Sequence, residues 1–571
     1  MRKKKLLAAV LVAALSVTML AGCGNKKNTD NTTDPTTVEN NTTGTQESAE
    51  PTEAAPADTG AYPGTPEENA ITVNITSEPP QLFTVTTTDT TSFSVIRHVM
   101  ENLVMLDEND QVIPGVAKDW KVSDDQLTYT FNLRDDMKWS NGEPVTAHDF
   151  VFAWKSLLTP SFAADYSYFG FVFKNGQAYN EGQVGEEELG FKALSDYQLE
   201  VTLENPTAYF LSQLSFGVFA PLNEKAYNEY GDAYGTDADK IVTNGPFKIA
   251  SWEHENNLVL EKNPDFYDAD KISLEKITFV MINDSNAALN AFKAGEIDVM
   301  KSVTGDQAAL MKGENYPVLN YDDGSTWYLE FNTTDKYLSN KNLRLALAYA
   351  IDRQAFIDSI VKNDSKPAVS FTAPALNGLN DKFANEVGPI APTYDPAKAK
   401  EYYDKALAEL GVDKVDLTMI SDDTDSAVLY AAFVQEQLKT TLGIELAIES
   451  MPFKSRIERM SNKDFSIVFA GWGPDYNDPM TFLDMYETGN GNNHTSYSNK
   501  AYDELLDKVR KELDPATRFG YLTELEKTLM TDIPIAPIYW RSIDYIISGK
   551  IESGVLRTAF QDMNYRNVKL K

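Results

Sequence analysis

Cysteine is nearly absent. Cys23 is the only one in 571 residues, so neither an internal disulfide nor a cysteine-ligated zinc site can form. Histidine is scarce too: His98, His148, His254 and His494 stand far apart, and His254, in Trp252-Glu253-His254-Glu255, lacks metal-ligand spacing. Each reads as a surface or core residue. Positive charge is in deficit, with 51 Lys and Arg against 85 Asp and Glu and a formal net charge of −34. That balance argues against nucleic acid, whose phosphates need basic neutralisation, and favours solubility in a crowded exterior. Gly-x-Ser-x-Gly, a Walker-type phosphate loop, His-Glu-x-x-His and a usable cysteine nucleophile are all missing. Paired carboxylates such as Asp135-Asp136 and Asp322-Asp323 read as solvated faces, although spacing alone does not decide on a glycosidase pair. The expectation is a protein that is not an enzyme and has no cofactor or resident metal.

The apolar run Leu6–Ala21 has 16 residues, short of the roughly 20 that a membrane-spanning helix needs. It follows the basic stretch Arg2-Lys3-Lys4-Lys5 and precedes Leu20-Ala21-Gly22-Cys23, which resembles a bacterial lipobox. Residues 1–22 are therefore expected to be a lipoprotein signal peptide, with Cys23 diacylated (palmitate or a similar chain) as the new N-terminus. Loss of the four basic residues would take the charge from −34 to −38. Gly24–Glu68 contains no Ile, Leu, Met or Phe and cannot bury enough apolar surface to fold. Together with Cys23 it forms a linker, residues 23–69, whose coil of about 45 residues would reach roughly 35–40 Å. Anchor, stalk and acidic body point to a lipoprotein on the extracellular face of a Gram-positive membrane.

The rest is long enough for two or three domains with large cores. Ile71–Ile75, Leu127–Leu133 and Leu199–Leu203 alternate as half-buried strands. Val415–Ile420, Ser426–Leu442 and Ile444–Ile448 read as strand, helix and strand, with Gly443 stopping the helix. That spacing predicts a βαβ unit and a parallel sheet, and such sheets bind ligands beyond the carboxyl ends of their strands.

One segment fits that location. The apolar strand Phe465–Ala470 leads into Gly471-Trp472-Gly473-Pro474-Asp475-Tyr476-Asn477-Asp478-Pro479, a carboxylate beside an aromatic at a strand end. Asp475 there needs a cationic partner, and the α-amino group of a bound peptide would supply one. Two other readings stand beside this. Asp475 could cap a turn through local amides, or Asp475, Asn477 and Asp478 could suggest calcium, although the alternate oxygens, central Gly and closing Glu of a calcium loop are not found.

The order of motifs resembles the family 5 extracellular solute-binding proteins, whose best-known members are the oligopeptide-binding proteins of ABC importers. The match begins at Asn102-Leu103-Val104 and Pro114–Trp120, and runs through Tyr129–Arg134, Lys138–Phe150, Thr243–Lys248 and Leu260–Pro264. It continues through Ala294–Asp298 and Arg344–Arg353 to Trp472–Leu483, so that it covers essentially Ala70–Lys571. The resemblance implies an α/β, two-lobed periplasmic-binding-protein-like fold of type II with an extra third domain. Lobe I would comprise 70–100, 223–324 and 543–571, the extra domain 101–222, and lobe II 325–542. The implied function is to capture oligopeptides in the interlobe cleft, as a monomer, and deliver them to an ABC permease and its ATPase.

The same resemblance implies roles for particular residues. Asp475 would pair with the peptide α-ammonium, with Trp472 beside it, while the backbone of Ala470, Gly471 and Trp472 would pair with the peptide as an added strand. Tyr166 would reach the ligand from the extra domain, and Tyr328 and Glu330 would line the pocket. The stretch containing Thr88 and Asp89 would form the opposite backbone rail. The far end departs from the pattern: where members selecting short peptides have basic side chains, this chain has Phe469, Ala427 and Met460. Either the peptide is longer and its carboxylate reaches solvent, or Arg456 or Arg459 substitutes, or the ligand differs. Rival readings within the fold are a nickel complex, haem, a glycan or a signalling peptide; a rival from another functional class is a surface adhesin or sensor that keeps the fold without transport.

Overall fold

The computed structural model describes Thr65 and residues 67–571. The expected signal peptide, Cys23 and most of the linker lie outside the described residues. No helix among the described residues is long and apolar enough to cross a membrane.

One continuous strand path organises the body. It runs Ala447–Met451, Thr418–Asp422, Ile467–Trp472, Leu319–Phe331, Ile535–Ile547, Val299–Met300, Ala70–Asn74, Lys276–Val280, Asn257–Lys262, Phe247–Glu253. Its two ends are the two α/β lobes. At one end Ala70–Asn74 lies parallel to Lys276–Val280, with Ile71, Val73, Ile277 and Phe279 in the core. At the other, Thr418–Asp422 and Ala447–Met451 are parallel and joined by the helix Asp425–Leu442, which is the βαβ unit expected. Thr424 opens that helix by accepting the Ala427 N–H at its hydroxyl, and Gly443 closes it at φ +70°, a conformation costly to a residue with a Cβ.

Two 13-residue strands, Leu319–Phe331 and Ile535–Ile547, run antiparallel through the middle of the path. Their pairing shifts register between Asp322 and Thr326, where Gly324 takes φ +73°. A second, four-stranded antiparallel sheet stands apart from the path: Ala117–Val122, Thr128–Leu133, Gln198–Thr202, Phe191–Ser195. The helix Ala147–Leu158 belongs with it, and Trp154 on this helix is fully buried against Phe173 and Phe219. This is the third domain of the expected α/β architecture.

The sheet departs from the expectation in one respect. The strand expected to stop at Ala470 continues to Trp472, because all of Ile467–Trp472 pairs antiparallel with Thr326–Phe331. The sheet there is mixed, parallel on one side and antiparallel on the other. Pairing with a strand some 140 residues away is invisible to a local pattern.

Candidate functional site

The Ile467–Trp472 strand is paired unequally along its two edges. One edge meets Leu319–Phe331 along its whole length; the other meets Thr418–Asp422 only at Ile467 and Val468. From Phe469 to Trp472 that second edge has no strand partner among the described residues. Gly471 is the one exposed residue of an otherwise buried strand. A Cβ at Gly471 would lie 2.6 Å from the Trp327 ring, so the bare backbone is kept by packing as well as by exposure. A strand edge without a strand partner, exposed at Gly471, is a template for an extended chain.

Just beyond the strand, the main chain is pinned. Trp472 Nε1 donates to the Thr481 carbonyl at 2.7 Å, and the Asp475 N–H donates to Thr481 Oγ1 at 3.0 Å. These two bonds tie the loop to the short helix Met480–Leu483. From the third domain, Tyr166, 2% exposed, donates its hydroxyl to Asp475 Oδ2 at 3.1 Å, and its ring stands 6.0 Å from that of Trp472. Thus Tyr166, Trp472 and Asp475 are brought together from two parts of the chain 309 residues apart.

The electrostatics of the group single out Asp475. Burial pushes its carboxyl well above the usual range and nearby Asp484 adds to this, while the Tyr166 hydrogen bond opposes it. Among the described residues, no Lys, Arg or His forms an ion pair with it. Its neighbour Asp478 is different: Arg518 donates to both of its oxygens at 2.8 and 2.9 Å, and it accepts the Met480 N–H. The turn-capping role considered for Asp475 therefore falls to Asp478. Among the described residues there is also no grouping of three or more His, Cys, Asp or Glu suited to a metal ion.

The remaining expected residues are dispersed around this centre. Tyr328 and Glu330 alternate with Trp327 and Leu329 on the long central strand, and Tyr328 stands opposite Ala470 in register. Tyr328 is 2% exposed and packs edge-on against Phe371 at 5.3 Å. Glu330 is 1% exposed, and neither of its oxygens meets a hydrogen-bond donor. Burial pushes its carboxyl up to about 8, with Arg456 pulling the other way. His494 Nδ1 lies 3.7 Å from it, and burial holds that imidazole down at about 4, hence neutral. Asp89 is 5% exposed and its carboxylate accepts the Ser92 N–H at 2.8 Å, capping the helix Thr90–Val99. Burial raises it to about 6. Its side chain is thus engaged in the fold, and Thr88 beside it is half-buried.

The substitutes suggested for a basic far end are already engaged. Arg456 Nε donates to Asp422 at 2.6 Å, and Arg459 pairs with Glu449 and Asp464. Met460 is buried, whereas Phe469 and Ala427 do face a cavity. The cation that sequence reasoning missed is Arg541, which lies over the Trp327 ring at 4.8 Å and donates through Nε to Asp323 at 2.7 Å. Nothing local marks it, since its carboxylate is 218 residues away.

One cavity reaches Asp475 and a second reaches Phe469 on the strand. The first, with about 610 Å³ of space including open solvent, is lined by Asp475, Phe93, Ile96, Phe216 and Phe560; the other, about 2450 Å³ also including its solvent-open mouth, includes Phe469, Trp327 and Arg541. Beside the larger one the lobes touch directly. Asp425 Oδ2 accepts both the Ser285 N–H at 3.0 Å and its hydroxyl at 2.7 Å, Asn283 donates to Asp423, and Lys362 pairs with Asp306.

Known proteins resemble this chain in sequence and fold. The profile of the bacterial extracellular solute-binding proteins, family 5, matches residues 111–494. The oligopeptide-binding protein OppA of Bacillus subtilis is 34% identical over 88% of this chain and 93% of its own length. The peptide-bound structure of Listeria monocytogenes OppA, 35% identical, superposes with a TM-score of 0.84 over 88% of this chain and 99% of that one. The Escherichia coli murein tripeptide binding protein MppA, 27% identical, superposes with a TM-score of 0.80 over 88% of this chain and 98% of that one. Its unliganded open form reaches only 0.58 over a similar share, 89% and 98%. The lobes here are therefore arranged unlike those of the open form. On this evidence the fold is the two-lobed type II binding fold with a third domain, and the chain belongs to the bacterial extracellular solute-binding proteins of family 5.

Proposed function

We propose that this protein captures oligopeptides between its lobes and hands them to an ABC permease, without converting them chemically. The free edge at Phe469–Trp472 carries this reading, because it offers main-chain hydrogen bonds to an extended chain whatever its side chains. Asp475 would anchor the peptide α-ammonium. Burying a carboxylate without a cation is costly, and an ammonium beside it removes that cost in the closed state alone. Trp472 and Tyr166 would enclose the amino end, and Ala470 and Gly471 would lend backbone. The Thr88–Asp89 backbone would form the opposing rail, while Tyr328 and Glu330 would shape the pocket floor from below.

Binding then acts as a population shift, in which the ligand stabilises the closed form through contacts that only that form completes. We place the hinge at the register shift between Asp322 and Thr326, and propose lobes of 70–100, 223–324 and 543–571 on one side and 325–542 on the other, with an extra domain of 101–222. The protein would act as a monomer held to the outer face of a Gram-positive membrane by lipid on Cys23, the linker giving it reach. Calorimetry with a free and an N-acetylated peptide of one sequence tests the central claim. The acetylated peptide should bind far more weakly, and equal affinities would remove the role given to Asp475.

A further inference from the structure

Of the four histidines, all among the described residues, His254 alone has a carboxylate against each ring nitrogen. It sits in the turn between the strands Phe247–Glu253 and Asn257–Lys262. Its Nδ1 lies 2.7 Å from Glu78 Oε1 and its Nε2 3.2 Å from Asp237 Oδ1. A neutral imidazole carries one N–H, and ionised carboxylates only accept. Both bonds therefore have a proton only when the ring is imidazolium. The Glu78 bond is the largest of the effects that raise this imidazole above its ordinary 6.5, while partial burial opposes them.

The bridge joins three stretches of chain. Glu78 also accepts the Trp252 Nε1–H at 2.8 Å and the Glu255 N–H at 2.7 Å, so its carboxylate is the hub. Asp237 is fixed within its own loop by the Thr236 hydroxyl at 2.8 Å. The other charges around the turn are Glu253, which accepts from Asn256 and Asn257, Lys240, which pairs with Asp239, and the exposed Glu255. Pro79 and Pro80 follow Glu78 and have no N–H to give. This stretch is fastened at Glu78 and again at Leu82, whose N–H donates to the Gly235 carbonyl at 2.8 Å. A few residues farther on lie Thr88 and Asp89, the backbone given above to the opposing rail.

We propose that His254 is a proton-operated staple: as imidazolium it binds Glu78 and Asp237 together and steadies the segment that runs into the Thr88–Asp89 rail, and as neutral imidazole it holds only one of the two. The staple stands on its own geometry, and its effect on ligand rests on the peptide-capture reading above. The ring binds its proton more tightly in the folded chain than in the unfolded one. Its stabilisation is therefore present in full below the ordinary 6.5 and is lost as pH rises through the higher folded value.

The test is NMR titration of the full chain with isotope-labelled histidine, the His254 signal being the one that His254→Gln removes. Burial holds His98 and His494 neutral, at about 3 and about 4, which keeps their signals still between pH 5 and 9. His254 should titrate with a midpoint above 6.5, and Glu78→Gln should lower that midpoint by about half a unit or more. The native protein should melt about 1–2 °C above His254→Gln at pH 6, with the gap closing by pH 8.5. In calorimetry with one peptide bearing a free amino end, it should bind about threefold tighter than the variant at pH 6 and equally at pH 8.5. Titration of Asp475 is common to both chains and cancels in this ratio. A midpoint at or below 6.5, or one that Glu78→Gln leaves unmoved, would overturn the staple. A raised midpoint with an affinity ratio that is the same at both pH values would overturn its service to the rail. If no peptide binds either chain, the peptide-capture reading fails together with that half of the inference, whereas the titration still decides the staple.

Discussion

Replacing Asp475 by Asn separates binding from folding more cleanly than any other change at the site. Asn keeps the shape and an oxygen to accept the Tyr166 hydroxyl at 3.1 Å, but it removes the charge. Loss of one partner from a buried charge pair costs about 2–5 kcal/mol. Asp475 is half-buried and retains Tyr166, so the lower part of that range applies, about 2–3 kcal/mol, or a rise in Kd of about 30- to 160-fold for a peptide with a free amino end.

The unliganded protein should respond in the opposite sense. The folded carboxyl is held well above its usual 3.8, so above that pH the folded state keeps a proton that the unfolded chain has released. Stability then falls as pH rises, until the folded group itself ionises, and the penalty stays constant beyond that point. Asp475→Asn removes the penalty. Without ligand it should melt above the native protein at pH 8, with the gap closing toward pH 4. Differential scanning calorimetry over pH, beside titration calorimetry with peptide, checks both halves. A variant that loses stability and affinity together would mark Asp475 as structural and refute the reasoning.

Glu330→Gln should stabilise the protein increasingly between pH 5 and 8. The native carboxyl at about 8 holds a proton that the unfolded chain loses near 4.5, a slope of up to about 1.4 kcal/mol per pH unit that urea unfolding at several pH values would reveal. A parallel pair of stability profiles would contradict the buried, unpartnered state of that group. Asp425→Ala removes two hydrogen bonds between the lobes; at an exposed position that is worth about 1 kcal/mol, so peptide dissociation in stopped flow should quicken about fivefold with the melting temperature unchanged. An unaltered off-rate would show that this contact does not hold the closed form. Gly471→Ala puts a Cβ 2.6 Å from the Trp327 ring and beside the free edge, and should weaken peptide binding about tenfold by calorimetry. Unchanged affinity would place the ligand main chain elsewhere.

Much of this protein was legible along the chain. The βαβ unit around Asp425–Leu442 follows from apolar spacing and from Gly443, both local signals. Trp472 and Asp475 stood out because a carboxylate beside an aromatic at the end of an apolar strand needs a cationic partner. The run of motifs between Asn102 and Leu483 carried the family without any coordinates. What lay beyond local pattern was everything set by partners distant in sequence. Tertiary pairing with Thr326–Phe331 carried the strand through Gly471, and the early end of its other neighbour left the edge bare. Tyr166 meets Asp475 across 309 residues, Arg541 finds Asp323 across 218, and Arg456 proves to be engaged with Asp422. A sequence lists which groups can ionise or donate; which are already satisfied depends on distance and burial, and only the packed lobes determine those. That is why the expectation for Asp475 could be formed from residues alone, whereas the engagement of Arg456, Arg459 and Arg541 emerged only from the tertiary structure.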